Sequence, residues 1–339
     1  MNSVYAIIVV TLVFVGCCST VVFLEFLVSE APGCGNLITF AQFLFIAIEG
    51  FIFATHFGTK APVIPLKHYL LMVFFFFMTN VVSNYALNFN IPLPLHMIFR
   101  SGSLVANIAL GIILLKRRYP FYQYVAILMI TVGITTCTLM SAKTGSKKQS
   151  DEVSDAEGPM TAYDFAMWIT GLSMLTSGLF MSARMGIYQE TLYSKFGKHP
   201  REALFYSHAL PLLGFTVLGK DIYNQAILFS NSEPLAVPVL DVTVPKMWLY
   251  LSGNVLAQYV CIRCIFILTT ECPSLIVTLV VTLRKFLSLV FSIVYFKNPF
   301  TLYHWLGTAL VFSGTLLFTG VFHKAKDALF PPSKTKKVE

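Results

Sequence analysis

Charged residues are scarce in this sequence: Asp, Glu, Lys and Arg make up 12% of its 339 residues, where soluble globular proteins carry about 25%. Apolar residues reach 56%, and the mean hydropathy is +0.73. So few charges cannot cover a water-exposed surface, which argues against a soluble fold. A bilayer requires apolar exteriors and admits only helices and closed barrels. The apolar runs are about 20 residues long, which predicts helices rather than barrel strands.

Catalytic motifs are also missing. The sequence contains no GxSxG, no HExxH and no Walker-type glycine-rich loop, and its histidines are scattered. No residues remain for the nucleotide-binding domain of an ATP-driven pump. We therefore expect no enzyme, no metal site and no cofactor.

The cysteines do not form a recognisable framework. They number seven and most lie inside apolar runs, so we expect no set of structural disulfides. Cys261 and Cys264 form a CxxC, which we interpret as small packing residues of an apolar helix rather than as a redox or metal site.

Ten apolar stretches are long enough to cross a bilayer, which predicts an all-α polytopic membrane protein. They lie at about residues 4–28, 36–55, 66–88, 93–115, 120–140, 161–183, 204–228, 246–269, 274–296 and 301–322. A polar linker at 143–160 separates a first half, 1–142, from a second half, 161–323, and a basic tail follows at 324–339. A cleaved signal peptide is the alternative for the first stretch, but no basic segment precedes it.

The loops predict the orientation of the chain. If the N-terminus is cytosolic, most of the loop lysines and arginines fall on the cytosolic side, as the positive-inside rule requires. We therefore expect both termini in the cytosol and the 143–160 linker in the lumen.

An internal repeat relates the two halves. The stretch from Lys116 to Gly133 parallels the stretch from Lys297 to Gly314, with Tyr122 matching Tyr303. If the repeat holds five helices, the second copy enters the membrane upside down. The sequence thus predicts two inverted five-helix repeats, the arrangement of alternating-access carriers. Chance similarity between apolar segments is the rival explanation.

Ionisable residues inside the spans indicate a binding site, because a charge in hydrocarbon is costly unless it has a function or a partner. They are Arg100, Arg263, Arg284, Lys285, Glu25 and Glu49. The surplus of two positive charges suits a diphosphate. Helical spacing puts His96 on the face of Arg100, and it puts Lys285 on a polar stripe, so Arg100 and Lys285 are the predicted phosphate contacts. Arg284 is either a third contact or a structural buttress, and the two glutamates are alternative partners of the cations.

Further polar residues lie at helical spacing in other spans. They are Gln42, Asn84, Tyr85, Asn88, Gln258 and Tyr259. Amide groups suit the edge of a nucleobase and tyrosine offers a stacking face, so we interpret these residues as candidate contacts to a base, ribose or sugar. The alternative is that they hold membrane helices together by hydrogen bonds.

The C-terminal tail ends in Lys336-Lys337-Val338-Glu339. Lysines three and four positions from the end resemble the dilysine signal that the COPI coat reads on proteins recycled to the endoplasmic reticulum. A basic tail that binds anionic lipid, or a chance pattern, is the alternative.

Several segments resemble the nucleotide-sugar carrier family of the drug/metabolite transporter superfamily. They are the segments that begin at Phe40, His96, Met181, Gln258, Thr278 and Asn298. Two positions, Cys264 and Pro273, depart from the family pattern.

The resemblance implies a ten-helix fold and an antiporter of the Golgi and endoplasmic reticulum. Its cargo would be UDP-N-acetylglucosamine or UDP-xylose, exchanged for UMP, with GDP-fucose as the alternative cargo. It also implies that Arg100, Arg284 and Lys285 meet the phosphates. A homo-oligomer is compatible with this function, whereas nucleic acid is not an expected partner. A membrane-embedded glycosyltransferase and a non-transporting scaffold are the competing classes.

Overall fold

The computed structural model describes residues 3–89, 91, 93–116, 118–152, 162–197, 199–237, 242–271, 274–296 and 300–320. Most of these residues are helical. The helices are α1 (Ser3–Glu30), α2 (Gly35–Phe53), α3 (Leu66–Ala86), α4 (Leu93–Ser101), α5 (Ser103–Leu115), α6 (Phe121–Glu152), α7 (Ala162–Phe196), α8 (Pro200–Ala209), α9 (Pro211–Gly214), α10 (Gly219–Ser230), α11 (Lys246–Glu271), α12 (Ser274–Tyr295) and α13 (Leu302–Phe318). A short 3₁₀ turn, Pro32–Cys34, joins α1 to α2.

Six stretches of the described chain are long and apolar enough to cross a membrane. They are Ile7–Glu30, Pro32–Phe53, Leu66–Ala86, Leu93–Leu114, Phe121–Ser141 and Phe165–Phe196. Large apolar side chains also cover the outside of the bundle: Ile113, Phe121 and Val217 expose 69%, 81% and 85% of their surface. Such an exterior is stable in hydrocarbon and not in water, so the protein is a multi-pass membrane protein.

The structure corrects three features of the sequence prediction. The stretch 204–228 is not one helix, because Pro211 lacks the amide hydrogen that a continuous helix needs, and the chain divides into α8, α9 and α10. A two-stranded antiparallel hairpin, β1 (Pro234–Val237) with β2 (Val242–Pro245), departs from the all-α prediction. Its residues are rich in valine, which favours strands.

The third difference concerns the predicted polar linker. Helix α6 continues to Glu152, so the first residues of the 143–160 stretch are helical. Lysine and glutamate are good helix formers, which allows the helix to extend past its apolar part. The rest of the linker, 153–160, lies outside the described residues.

Three long helix pairs dominate the packing: α1 lies against α11, α3 against α7, and α6 against α13. The last pair is especially close. A Cβ atom on Gly133 of α6 would lie 2.5 Å from the carbonyl oxygen of Gly307, and one on Gly314 of α13 would lie 2.9 Å from the carbonyl oxygen of Ala126. Glycine lets the two backbones touch, as it commonly does between membrane helices.

Candidate anion-binding site

Three cationic side chains from two helices meet inside the bundle. Arg100 lies in the last turn of α4, while Arg284 and Lys285 are neighbours on α12, which packs against α4. Lys285 is within electrostatic range of both Arg284 and Arg100, and Arg284 is within range of Arg100. Arg100 and Lys285 are surrounded by protein, yet their side chains retain exposed surface.

No carboxylate is among the electrostatic neighbours that the structure gives for these cations. For Lys285 these neighbours are Arg284 and Arg100, and for Arg284 they are Arg100 and the Cys18 thiol. Like charges gathered away from bulk water repel one another and lose hydration, so the arrangement costs free energy until an anion enters. A polyphosphate would supply the missing negative charge.

His96 lies one helical turn before Arg100 on α4. Its ring is buried, it hydrogen-bonds to the backbone of Ala86, and its Nε2 has no hydrogen-bond partner among the described residues. Arg100 is its charged neighbour. A buried ring nitrogen without a partner is uncommon, which keeps His96 a candidate ligand contact beside Arg100.

Arg284 contacts two other helices in addition to its basic neighbours. Its Nη1 lies 3.0 Å from Sγ of Cys17 on α1 and 3.1 Å from Sγ of Cys261 on α11. These contacts agree with its interpretation as a buttress, and its charge adds to the cluster.

The structure joins Cys17 and Cys261 by a disulfide, contrary to the expectation that the cysteines only pack. The two residues are 244 positions apart. They meet because α1 and α11 approach closely at Gly16, where a Cβ would lie 3.2 Å from the carbonyl oxygen of Ala257. Sequence spacing carries no signal for such a pair. Cys264 is free and buried in an apolar cluster, as expected.

Two of the candidate polar residues join helices. Nε2 of Gln42 donates to Oδ1 of Asn254 at 2.7 Å, and Nδ2 of Asn254 donates to the carbonyl oxygen of Thr20 at 2.9 Å, which ties α2, α11 and α1 together. Nδ2 of Asn84 donates to Oγ1 of Thr39 at 2.7 Å, so it connects α3 to α2. These contacts favour the helix-joining alternative for both residues.

Two further residues, which no sequence pattern singled out, take part in these hydrogen-bond networks. Asn254 has no exposed surface and joins three helices. Asn36 is also buried, and its Nδ2 donates to Oδ2 of Asp221 at 2.8 Å. The only available signal was a polar residue within an apolar run, which many helix-joining residues share.

Four further candidates lie on or next to two helices, and no hydrogen bond of the described residues joins either pair to the cations. Asn88 is exposed just beyond the end of α3, and Tyr85 is half-buried on that helix. Gln258 is half-buried on α11, whereas the neighbouring Tyr259 donates to Oε1 of Glu49 at 3.4 Å. Tyr259 thus belongs to a second polar cluster, away from the cations on α4 and α12.

Both glutamates of the predicted spans have partners. Glu49 forms an ion pair with Arg263, as the alternative interpretation predicted. Glu25 accepts a hydrogen bond from Oγ of Ser292 at 2.5 Å. The targeting candidates Lys336 and Lys337, and Pro273, lie outside the described residues.

An apolar exterior, a helical bundle and a group of cations inside it define a polytopic membrane protein of the transport class. The chain belongs to the UAA transporter family, whose model matches residues 5–321. This is a family of transporters and not of enzymes, which confirms the resemblance that the sequence indicated.

Curated relatives span nearly the whole chain. A Danio rerio protein named "UDP-xylose and UDP-N-acetylglucosamine transporter" is 59% identical over 100% of both chains. The Homo sapiens "Nucleotide sugar transporter SLC35B4" is 58% identical over 97% of this chain and 98% of its own. The Drosophila melanogaster "Endoplasmic reticulum GDP-fucose transporter" is 54% identical over 96% and 93%.

A solved crystal structure has a similar fold. It covers 94% of this chain and 98% of its own with a TM-score of 0.50 and 14% sequence identity. At this identity the likeness concerns the fold alone.

Proposed function

We propose that the protein is an antiporter that carries UDP-N-acetylglucosamine, UDP-xylose or both from the cytosol into the lumen of the endoplasmic reticulum or Golgi in exchange for UMP. The observation that carries the proposal is the group formed by Arg100, Arg284 and Lys285, which has no carboxylate among its described electrostatic neighbours. The names of the Danio rerio and Homo sapiens relatives agree with this cargo.

Two inverted repeats of five transmembrane helices would give the alternating access that this function needs. The contacts between α6 and α13 support this arrangement. An offset of 181 positions, the distance from Gly133 to Gly314, also relates Ala126 to Gly307 and Ile130 to Val311. Gly133 packs on Gly307 and Val311, and Gly314 packs on Ala126 and Ile130, so the contacts exchange under the offset.

A pair of polar contacts exchanges in the same way. Nε2 of Gln123 donates to the carbonyl oxygen of Phe318 at 3.3 Å, and Sγ of Cys137 donates to the carbonyl oxygen of His304 at 3.6 Å. Under the same offset of 181 positions, Gln123 corresponds to His304 and Cys137 corresponds to Phe318, so the two contacts are equivalent. Residue numbers rise along α6 as they fall along α13, so the helices are antiparallel. A two-fold axis that exchanges antiparallel helices is perpendicular to them and lies in the membrane plane, which supports inversion.

The packing of the other helices follows the same rule. If α1 corresponds to α7 and α3 to α11, the α1–α11 pair exchanges with the α3–α7 pair, and both pairs are extensive. Under this mapping the cations on α4 and α12 come from corresponding helices of the two halves. Each half thus contributes charge to one central site.

The chemistry of exchange follows from the shared phosphate. A diphosphate diester carries about two negative charges and a monophosphate up to two, so both the entering and the leaving ligand neutralise the same cations. Closure around either ligand would be favoured, because each ligand neutralises the cations and so stabilises the occluded state. Without a ligand, repulsion between the cations would destabilise that state. The empty carrier would change sides slowly, which couples entry to exit.

The test is exchange in proteoliposomes. Proteoliposomes that contain the purified protein and are loaded with UMP should take up labelled UDP-N-acetylglucosamine. Lys285→Ala should abolish uptake because it removes a central phosphate contact. Lys220→Ala, an exposed lysine on α10, is the matched control and should transport normally. Transport that survives Lys285→Ala would refute the assigned role of this residue.

GDP-fucose is the second candidate cargo, because the Drosophila melanogaster relative named for it is also similar over nearly the whole chain. A panel of nucleotide sugars competing with UDP-N-acetylglucosamine uptake separates the two. Competition by GDP-fucose and not by UDP-xylose would favour the alternative cargo.

The remaining proposals concern the cell. Retrieval to the endoplasmic reticulum would depend on recognition of Lys336 and Lys337 by the COPI coat, with both termini in the cytosol. Replacing both lysines by serine should move a tagged protein forward from the endoplasmic reticulum. An unchanged distribution would argue against a dilysine signal.

A further inference from the structure

A second charged cluster lies on another face of α11. Nε of Arg263 donates to the hydroxyl oxygen of Tyr259 at 3.0 Å, and Arg263 forms an ion pair with Glu49 of α2. Arg284 contacts Cys261, two positions earlier on α11. Because two positions correspond to about 200° around a helix, the body of α11 separates this cluster from the central cations.

A cleft of about 220 Å³ opens beside this cluster, between the end of α2, the start of α8 and α11. Two arginines, Arg201 and Arg263, line it together with one carboxylate, Glu49. Arg201 is exposed, and no carboxylate of the described residues lies within salt-bridge distance of it. The cleft therefore carries one positive charge in excess.

The size of the cleft limits what it can hold. Sites for drug-sized ligands measure about 300–1,000 Å³, so a whole nucleotide sugar does not fit. A single phosphate group fits, with the rest of its molecule outside. The rim is apolar and includes Phe53, which is 64% exposed, and Phe205.

We propose that this cleft binds one phosphate group through Arg201 and Arg263. The planar guanidinium groups present parallel N–H donors that match phosphate oxygens. Glu49 and Tyr259 hold Arg263 at the wall of the cleft, and Arg201 supplies the uncompensated charge. In the proposed orientation this end of α2 and α8 faces the cytosol, where basic pockets between membrane helices bind anionic lipid headgroups. A nucleotide phosphate has the same chemistry.

The test uses thermal unfolding of the full-length protein in nanodiscs and does not depend on transport. The lipid arm compares nanodiscs of phosphatidylcholine with nanodiscs that also contain phosphatidic acid, whose headgroup is a terminal phosphate. The nucleotide arm titrates UMP into the Lys285→Ala variant in phosphatidylcholine, so that the central site contributes little. Each arm is measured with Arg201 intact, with Arg201→Gln and with Arg201→Lys.

The matched control is Arg184→Gln. Arg184 is an exposed arginine of α7 that does not line the cleft, and its replacement removes the same charge. Arg201→Gln should weaken the stabilising response roughly three- to tenfold, Arg201→Lys should keep part of it, and Arg184→Gln should leave it unchanged. A response to phosphatidic acid identifies a lipid headgroup, and a response to UMP identifies a nucleotide phosphate. If neither response depends on Arg201, or if Arg184→Gln weakens it equally, the proposal is wrong.

Discussion

The contact between α6 and α13 gives a sharp prediction, because it is sensitive to a single methyl group. In Gly133→Ala the new Cβ would lie 2.5 Å from the carbonyl oxygen of Gly307 and 2.8 Å from Cγ2 of Val311. An ordinary carbon–oxygen contact is at least about 3.3 Å, so the helices must separate by roughly 0.8 Å. A gap of this size forfeits about a quarter to a half of each dispersion contact near the site.

We expect Gly133→Ala to destabilise the protein by about 1–3 kcal/mol, the usual cost of overpacking. Gly314→Ala should cost a similar amount, because its Cβ would meet Ala126 and Ile130 at 2.9 Å. Both substitutions push the same two helices apart, so the double variant should cost less than the sum of the two single ones.

The assay is thermal unfolding of the purified protein in detergent, with Gly219→Ala as the control. A Cβ on Gly219 meets nothing within 4 Å, so this variant should unfold at the temperature of the wild type or slightly above it. The reasoning fails if Gly133→Ala is as stable as Gly219→Ala, or if only one of the two paired glycines is sensitive.

Two further predictions concern partly buried polar contacts. Asn254→Ala leaves the amide of Gln42 without its partner and should destabilise the protein by about 1–3 kcal/mol. The control, Ser252→Ala, changes an exposed position on the same helix and should be neutral. Equal melting temperatures for the two variants would contradict the prediction. Removing Glu49 or Arg263 alone leaves the other charge unpaired. A double-mutant cycle should therefore give a coupling free energy between the two side chains of at least about 1 kcal/mol. Strictly additive effects on the free energy of unfolding would show that the pair contributes nothing.

The membrane class and the first six apolar helices were predictable from composition and run length. Scarce charge and apolar runs of spanning length leave no other solution, since backbone groups in hydrocarbon must be satisfied within the helix. Boundaries were less predictable. The break at Pro211 had a signal in the sequence. The extension of α6 was missed because apolar run length locates only the part of a helix that lies in hydrocarbon, whereas lysine and glutamate can continue the helix beyond it.

Some residues of the candidate site were predictable from the sequence, and others were not. Arg100 and Lys285 stood out because a charge in an apolar run is expensive, and that argument needs no partner. The amides were ambiguous, since a hydrogen bond to a ligand and one to a neighbouring helix require the same side chain. The contacts from Gln42 to Asn254 and from Asn84 to Thr39 identify the helix-joining residues.

The sequence by itself determined that the chain is a helical membrane protein with an excess of positive charge in its apolar stretches, because the cost of burial depends on residue type and run length alone. Only the tertiary structure decided which charges meet. Arg100 and Lys285 are 185 positions apart yet lie within electrostatic range of each other, while Arg263 lies on another face of α11 with Glu49. Such partnerships depend on which helices touch, and that is determined by close contacts such as Gly133 against Gly307, which no local pattern records.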